Sequence, residues 1–154
     1  HCILTSEGMI HPALPAARTR GILFDVGHGC GSFDFEVACQ AIEQGFPPDT
    51  ISTDLQRGHL GDPTPHTLPG VMAKLEAAGM DREAIMRAVT CRPAGYLADP
   101  RVPGKLEVGC PADLCALQWS TERVPLADTS GNTRQGHVPR LLLVVRGGKQ
   151  TVPA

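Results

Sequence analysis

At 154 residues the chain is long enough for one domain with a buried core, and its 42% apolar content is that of an ordinary globular protein. Fourteen basic and sixteen acidic residues leave a net charge of −2, which argues against an electrostatic nucleic-acid binder or a polybasic membrane binder. No apolar run approaches the ~20 residues of a membrane-spanning helix. With only 4% aromatic residues, the core is expected to rest on Leu, Val, Ile and Ala. Six cysteines occur without a C-x-x-C pair, which excludes a zinc ribbon and predicts reduced, buried thiols in a cytoplasmic protein. No basic stretch followed by an apolar one marks a secretory signal, and the sequence opens on His1 rather than Met.

Residues 1–4 form a short apolar stub, read as the end of a strand that closes on His1. A short helix is expected over about 12–20, stopped at Gly21, a residue free to take positive φ. Ile22-Leu23-Phe24-Asp25-Val26 is almost continuously apolar, as a parallel strand covered on both faces is. The permissive loop Gly27-His28-Gly29-Cys30-Gly31 follows, and Ser32 is placed to cap a helix whose Val37, Ala38, Ala41 and Ile42 share a face. Gly45 and Pro47 end it. The β-branched residues 50–53 predict a second strand ending at Asp54 and Leu55. A polar loop with His59, Asp62, Pro63, Pro65 and His66 leads to helices over about 70–78 and 81–89, with Gly79 closing the first and Asp81 capping the second.

Strand and helix therefore alternate through residue 90, the pattern of a parallel sheet with crossover helices. After about residue 103 the style changes. Short strands are expected at 105–109, 113–117, 123–128 and 140–146, separated by Gly, Pro, Asn and Asp turns. The chain divides on this reading into an α/β part over 1–102 and a β-rich part over 103–154.

In parallel α/β folds the chemistry gathers at the carboxyl ends of strands, and here those ends carry His1, His28 and Asp54. Imidazole and carboxylate are common ligands of zinc and its neighbours. A carboxylate beside a metal-activated water can also take its proton and pass it to a leaving group. Spacing alone is a modest signal, since a lone strand-end His is more often a satisfied polar residue. His59 and His66 could be lid residues, with an exposed loop position the more common reading. His11 and His137 read as structural or exposed. Asp25 could support the site or be a hydrogen-bonded core carboxylate.

Gly21-Ile22-Leu23-Phe24-Asp25-Val26-Gly27-His28-Gly29, together with Gly45-Phe46-Pro47-Pro48-Asp49-Thr50-Ile51-Ser52-Thr53-Asp54-Leu55, resembles the amidohydrolase superfamily. Within it the closest likeness is to the dihydroorotase-like amidohydrolase/deacetylase branch. Gly104-Lys105-Leu106-Glu107-Val108-Gly109-Cys110-Pro111-Ala112-Asp113-Leu114 resembles the segment that returns the chain from barrel to β-subdomain in these enzymes, a pattern common across the superfamily. The resemblance implies the C-terminal portion, about strands 6–8, of a (β/α)8 TIM-type barrel followed by a small β-sandwich subdomain. It implies hydrolysis of an amide or ester bond of a small acyl compound at one or two divalent ions, zinc foremost. On the family pattern His1 matches the strand-6 metal ligand, and Asp54 the strand-8 ligand and general base. His28 and Gly29 then lie beside substrate. The remaining ligands would come from a preceding barrel half, without which this segment should be inactive, and open sheet edges predict pairing into a homo-oligomer. Two departures stand out: Gln56 where relatives often have His, and Arg92 where Asn often precedes the helix-starting Pro93. A cyclic-amide hydrolase of the dihydroorotase type and a non-catalytic half-barrel are the competing readings.

Overall fold

A computed structural model describes residues 3–29, 31–59 and 66–151. In chain order the elements are α1 (Ala13–Thr19), β1 (Asp25–Val26), α2 (Phe35–Glu43), β2 (Thr50–Ile51), a 3-10 turn (Arg57–His59), α3 (Leu68–Ala77), α4 (Arg82–Val89) and α5 (Cys91–Leu97). The β-rich part follows as β3 (Leu114–Trp119), β4 (Val124–Ala127), β5 (Thr133–Gly136), β6 (Pro139–Arg146) and β7 (Lys149–Thr151). The architecture is α/β, and among the described residues no helix is long and apolar enough to cross a membrane.

β1 and β2 pair in parallel, Asp25 opposite Thr50 and Val26 opposite Ile51. Both are shorter than the apolar runs that announce them. Ile22 gives its amide to Ala17 O at 3.1 Å, so it still belongs to the wrap that ends α1. Phe24 gives its amide to the Asp49 side chain at 3.0 Å, while its carbonyl accepts from Asp49 N at 2.8 Å and Thr50 N at 3.3 Å. The stub at residues 3–4 is not part of this sheet. Leu4 bridges Ile10 in antiparallel fashion, and Gln44 holds the turn by accepting from Ile10 N at 2.8 Å and donating to Gly8 O at 2.9 Å.

The helix ends follow side-chain chemistry closely. Ser32 is not the cap of α2: Asp34 is, accepting from Glu36 N at 2.8 Å and Val37 N at 3.1 Å. At the other end Gly45 takes φ 73°, which lets Phe46 N reach back to Ala41 O and Gly45 N to Ile42 O, a Schellman closure. α3 starts two residues earlier than predicted because Thr67 caps it, accepting from Gly70 N at 3.2 Å, with Pro69 in the first turn. Asp81 caps α4 as expected.

The core lies between β2 and the helices α3 and α4. Val71, Met72, Ala73 and Leu75 of α3 meet Ile85 and Ala88 of α4 and Ile51 of β2. Despite the low aromatic content, Phe33 and Phe35 are at its centre, 1% and 0% exposed, in an edge-to-face pair with centroids 5.2 Å apart. The aliphatic core that composition predicts is thus completed by two of the four phenylalanines. Leu126 of β4 is buried in the same cluster, and Leu117, Trp119 and Val138 pack against it. Gly136 allows this approach: a Cβ there would lie 3.3 Å from Ala73 O and 3.4 Å from the Ala77 methyl, so β5 lies directly on α3.

The β-rich part contains an antiparallel sheet in the order β3-β6-β7 and a separate hairpin, β4-β5. A register shift between Ala116 and Leu117 bulges β6 and leaves Leu142 54% exposed. The strand expected at 105–109 does not form. It has no partner, Cys110 N closes a turn on Glu107 O, and Leu106 and Val108 lie open. β5 and β7 lie outside the strands expected from the sequence, and α5 begins at Cys91, two residues before the Pro93 that the family pattern takes as a helix start. The loop of the β4-β5 hairpin is tied to the start of α2 through Asp128, which is buried. Its carboxylate accepts from Phe35 N at 3.0 Å, Ser130 N at 2.9 Å, Asn132 N at 2.7 Å and Asn132 Nδ2 at 3.0 Å. Thr129 Oγ1 donates to Phe33 O at 2.7 Å, and Ser130 Oγ to Asp34 Oδ2 at 2.6 Å.

Arg92, a departure from the family pattern, has a clear structural partner. It pairs with Asp49 at 3.0 Å, and Arg18 pairs with the same buried carboxylate at 3.0 Å. Asp49 thereby joins α1, α5 and the segment entering β2.

Candidate active-site strand ends

Side chains alternate across a strand, so Asp25, Gly27 and Gly29 share one face of β1 and its continuation, and Thr50, Ser52 and Asp54 share that face of β2. Ile51 and Val26 point the other way, into the core. The shared face is polar. Asp25 accepts from Thr50 Oγ1 at 2.7 Å and Ser52 Oγ at 2.6 Å, and it is exposed. It is therefore not a core carboxylate. It locks the two strands together on the face that also carries Asp54.

Asp54 follows β2 with φ 49°, one of two non-glycine residues described in the left-handed region. That backbone costs on the order of 1 kcal/mol, a strain that tends to collect at functional positions. The reason it can be held is the pair of glycines opposite. A Cβ at Gly27 would stand 2.6 Å from Asp54 Cβ, and one at Gly29 would overlap Asp54 Oδ2. Gly29 itself is left-handed at φ 49° and gives its amide to Thr53 O at 3.4 Å. Ser32 Oγ donates to Asp54 Oδ2 at 3.2 Å. Asp54, Gly29 and Ser32 thus form one contact unit on the exposed side of the sheet.

His28 turns away from that unit. Its Nδ1 donates to Gly29 O at 2.9 Å, and its ring stacks near Phe33 and meets His66 edge-on at 4.9 Å between centroids. His66 in turn stacks on His59 at 4.3 Å. His59 is buried, with Nδ1 accepting from Gln56 N at 3.0 Å, so it is not an exposed loop histidine. Three imidazoles therefore line up beside the strand ends. Nothing in loop composition signals this alignment. Burial lowers the His28 pKa from its ordinary value, and the nearby Lys74 and His66 add to the effect, while the Gly29 and Ala127 backbone groups pull the other way. Nε2 of His28 is buried without a well-formed hydrogen bond among the described residues. His1 lies outside the described residues.

Lys74, on α3, faces the same region, with its ammonium 5.9 Å from the Phe33 ring centroid. Burial brings its pKa down to about 8, and the Asp128 carboxylate opposes the shift. Lys105 is displaced upward by its hydrogen bond to Glu107. An amine-acylating reagent used near pH 8 should therefore label Lys74 ahead of Lys105, as read by peptide mass spectrometry. Earlier labelling of Lys105 would show that the Lys74 amine is not the more neutral of the two.

As a metal site, the described residues are incomplete. Among them no group of three or more His, Cys, Asp or Glu side chains converges. Asp54 suits the role of a single ligand: it is an oxygen donor on a fixed backbone, and no hydrogen bond from a described residue reaches its Oδ1.

Comparison with known proteins gives this geometry a context. The chain is 36% identical over 118 residues to a deacetylase of Enterococcus faecalis, covering 77% of this chain and 32% of that protein. It is 37% identical over 112 residues to a deacetylase of Brucella anthropi, covering 73% of this chain and 27% of that protein. The crystal structure of an adenine deaminase superposes with TM-score 0.87 and 32% identity, over 97% of this chain and 41% of that one. That of a dihydroorotase superposes with TM-score 0.78 and 31% identity, over 90% and 38%. No family model matches the chain. The chain spans about a third of the length of the curated relatives it matches. The sequence relatives are named deacetylases, and the two structural neighbours, an adenine deaminase and a dihydroorotase, are both of the amidohydrolase superfamily. On the strength of both, this chain belongs to the amidohydrolase superfamily.

Proposed function

We propose that this chain carries the proton-accepting carboxylate of a hydrolase that cleaves an amide or ester bond in a small acyl compound. The observation that carries the reading is Asp54, held in a left-handed backbone at a strand end over two bare glycines. The two deacetylase relatives favour acyl transfer to water as the reaction. A divalent metal, zinc foremost, would supply an activated water and polarise the acyl oxygen. Asp54 would hold that metal together with His1 and donors from outside the described residues.

The rest of the chemistry belongs to this chain's own groups. Asp54 accepts the proton released as water attacks the acyl carbon and returns it to the departing nitrogen or oxygen. The Gly27 and Gly29 backbone, without side chains, leaves the room that the Asp54 side chain fills, and Gly29 lies beside substrate on this reading. His28 lines the substrate side through its ring, its Nδ1 being engaged with Gly29 O. On this reading β1 and β2 are the seventh and eighth strands of the barrel. Residues 1–102 are then the barrel part and 103–154 the β-subdomain, and a preceding barrel half supplies the remaining metal ligands. A small acyl substrate is the partner, neither nucleic acid nor membrane is, and the protein assembles as a homo-oligomer.

The dihydroorotase likeness favours one competing reading, opening of a cyclic amide by the same apparatus. A panel of N-acyl amino acids, acyl esters and cyclic ureides, offered to the full-length metal-loaded protein, separates the two. Release of acetate or a related acid supports the proposal. Turnover confined to cyclic ureides would replace it, and no turnover of any panel member, with metal bound, would count against hydrolysis altogether.

A further inference from the structure

Ser32 sits in the loop before α2, where a serine ordinarily serves as a helix cap. Here Asp34 performs that task, through the amides of Glu36 and Val37. The Ser32 hydroxyl is left to another use, and it donates to Asp54 Oδ2 across 22 residues of sequence. Its own amide donates to His28 O at 3.2 Å, which closes the glycine-rich loop and fixes where the hydroxyl stands. Gly29 packs against the same carboxylate oxygen, close enough that a Cβ there would overlap it and would also stand 2.9 Å from Ser32 Oγ.

A carboxylate at a strand end can rotate about its Cβ–Cγ bond, and its two oxygens are chemically equal until something distinguishes them. Here two neighbours do so. Ser32 holds Oδ2 by a hydrogen bond, and the bare Gly29 Cα gives that oxygen a seat that a side chain would fill. We infer that Ser32 is a positioning residue for Asp54: it docks Oδ2 over Gly29 and presents Oδ1 as the working oxygen. The inference rests on the proposed role of Asp54 and extends it to a residue that neither touches substrate nor binds metal.

The consequence is a defined kinetic signature. A rotating carboxylate spends part of its time misaimed, which lowers turnover without weakening substrate capture, because the substrate contacts are elsewhere. Outer hydrogen-bond partners of ligating or catalytic carboxylates are commonly worth about 10–100-fold in activity or metal affinity. The Ser32→Ala variant of the full-length enzyme should therefore lose about tenfold in kcat with KM unchanged within about twofold. It should also release zinc to a chelator about tenfold faster, a readout independent of turnover. Ser32→Thr, which keeps the hydroxyl, should restore both. The melting temperature should stay at the wild-type value, since Ser32 is exposed and caps nothing.

An unchanged kcat and zinc-release rate in Ser32→Ala would overturn the inference, as would a Thr variant no better than Ala. The parent Asp54→Asn variant keeps the two questions apart. If it is inactive while Ser32→Ala is normal, the carboxylate works but Ser32 does not aim it. If Asp54→Asn itself retains activity, the proposed function fails first.

Discussion

Asp54→Asn in the full-length protein is expected to lower kcat by about 10³-fold, within the range that a lost general base commands. The substitution is nearly isosteric. Asn is among the residues that tolerate a left-handed backbone, so φ 49° is no obstacle. The amide oxygen can still accept from Ser32, and the side chain is exposed, so folding has no reason to suffer. What the amide cannot do is take a proton at neutral pH, and it is a poorer ligand for a hard divalent ion. The measurement is kcat on the preferred acyl substrate beside a thermal melt. A variant that melts like wild type and turns over within threefold of it would remove Asp54 from the mechanism.

Asp128→Ala should have the largest effect on stability, about 2–3 kcal/mol. Its carboxylate receives four hydrogen bonds, and the Phe35 amide among the donors is in a fully buried residue. Truncation leaves the buried Phe35 amide unpaired, which costs its desolvation rather than the smaller net value of a bond, and it frees the hairpin loop that the other three bonds hold. The pKa tells the same story. Burial alone pushes the Asp128 carboxyl up, but the hydrogen bonds from Phe35, Asn132 and Ser130 together outweigh it, and the net shift is downward. A carboxylate whose folded pKa lies below its unfolded one stabilises fully above about pH 4. That contribution fades as the pH falls through the folded value. Urea denaturation of wild type and Asp128→Ala should thus differ at pH 7 and draw closer as the pH falls below about 4. Equal midpoints at pH 7 would show that the hairpin is held by packing alone.

Much of the helical framework is legible in the sequence because local chemistry decides it. Gly45, Gly79 and Asp81 act where they are expected to, since a left-handed closure and an N-cap depend on neighbours a few residues away. Ser32 and Asp34 show the limit of that logic. Both are good caps two residues apart, and the choice between them is made by Asp54 and Ser130, which only the fold brings near. The strands are less legible. Ile22 and Leu23 look like strand residues, yet α1 claims the Ile22 amide and no third strand among the described residues lies beside them. The run at 105–109 alternates correctly and still forms no strand, because a strand needs a partner that sequence pattern does not supply.

The site divides in the same way. Asp54 announces itself by a motif at a strand end. The alignment of His28, His66 and His59 does not, because 37 residues separate the first from the second in sequence and only tertiary packing stacks them. Lys74 is equally silent: a lysine within an apolar helix face reads as a solvated charge until its burial beside Phe33 is seen.

On the proposed role of Asp54, the Asp128 hairpin gives the β-rich region a mechanical part in chemistry carried by another segment. Its hydrogen bonds end on Phe33, Asp34 and Phe35, the residues immediately after Ser32. The loop proposed to aim the Asp54 carboxylate is thus clamped from behind by hairpin-loop residues nearly a hundred positions downstream. Loosening the clamp would be felt first as a drifting proton acceptor and only later as an unfolded chain.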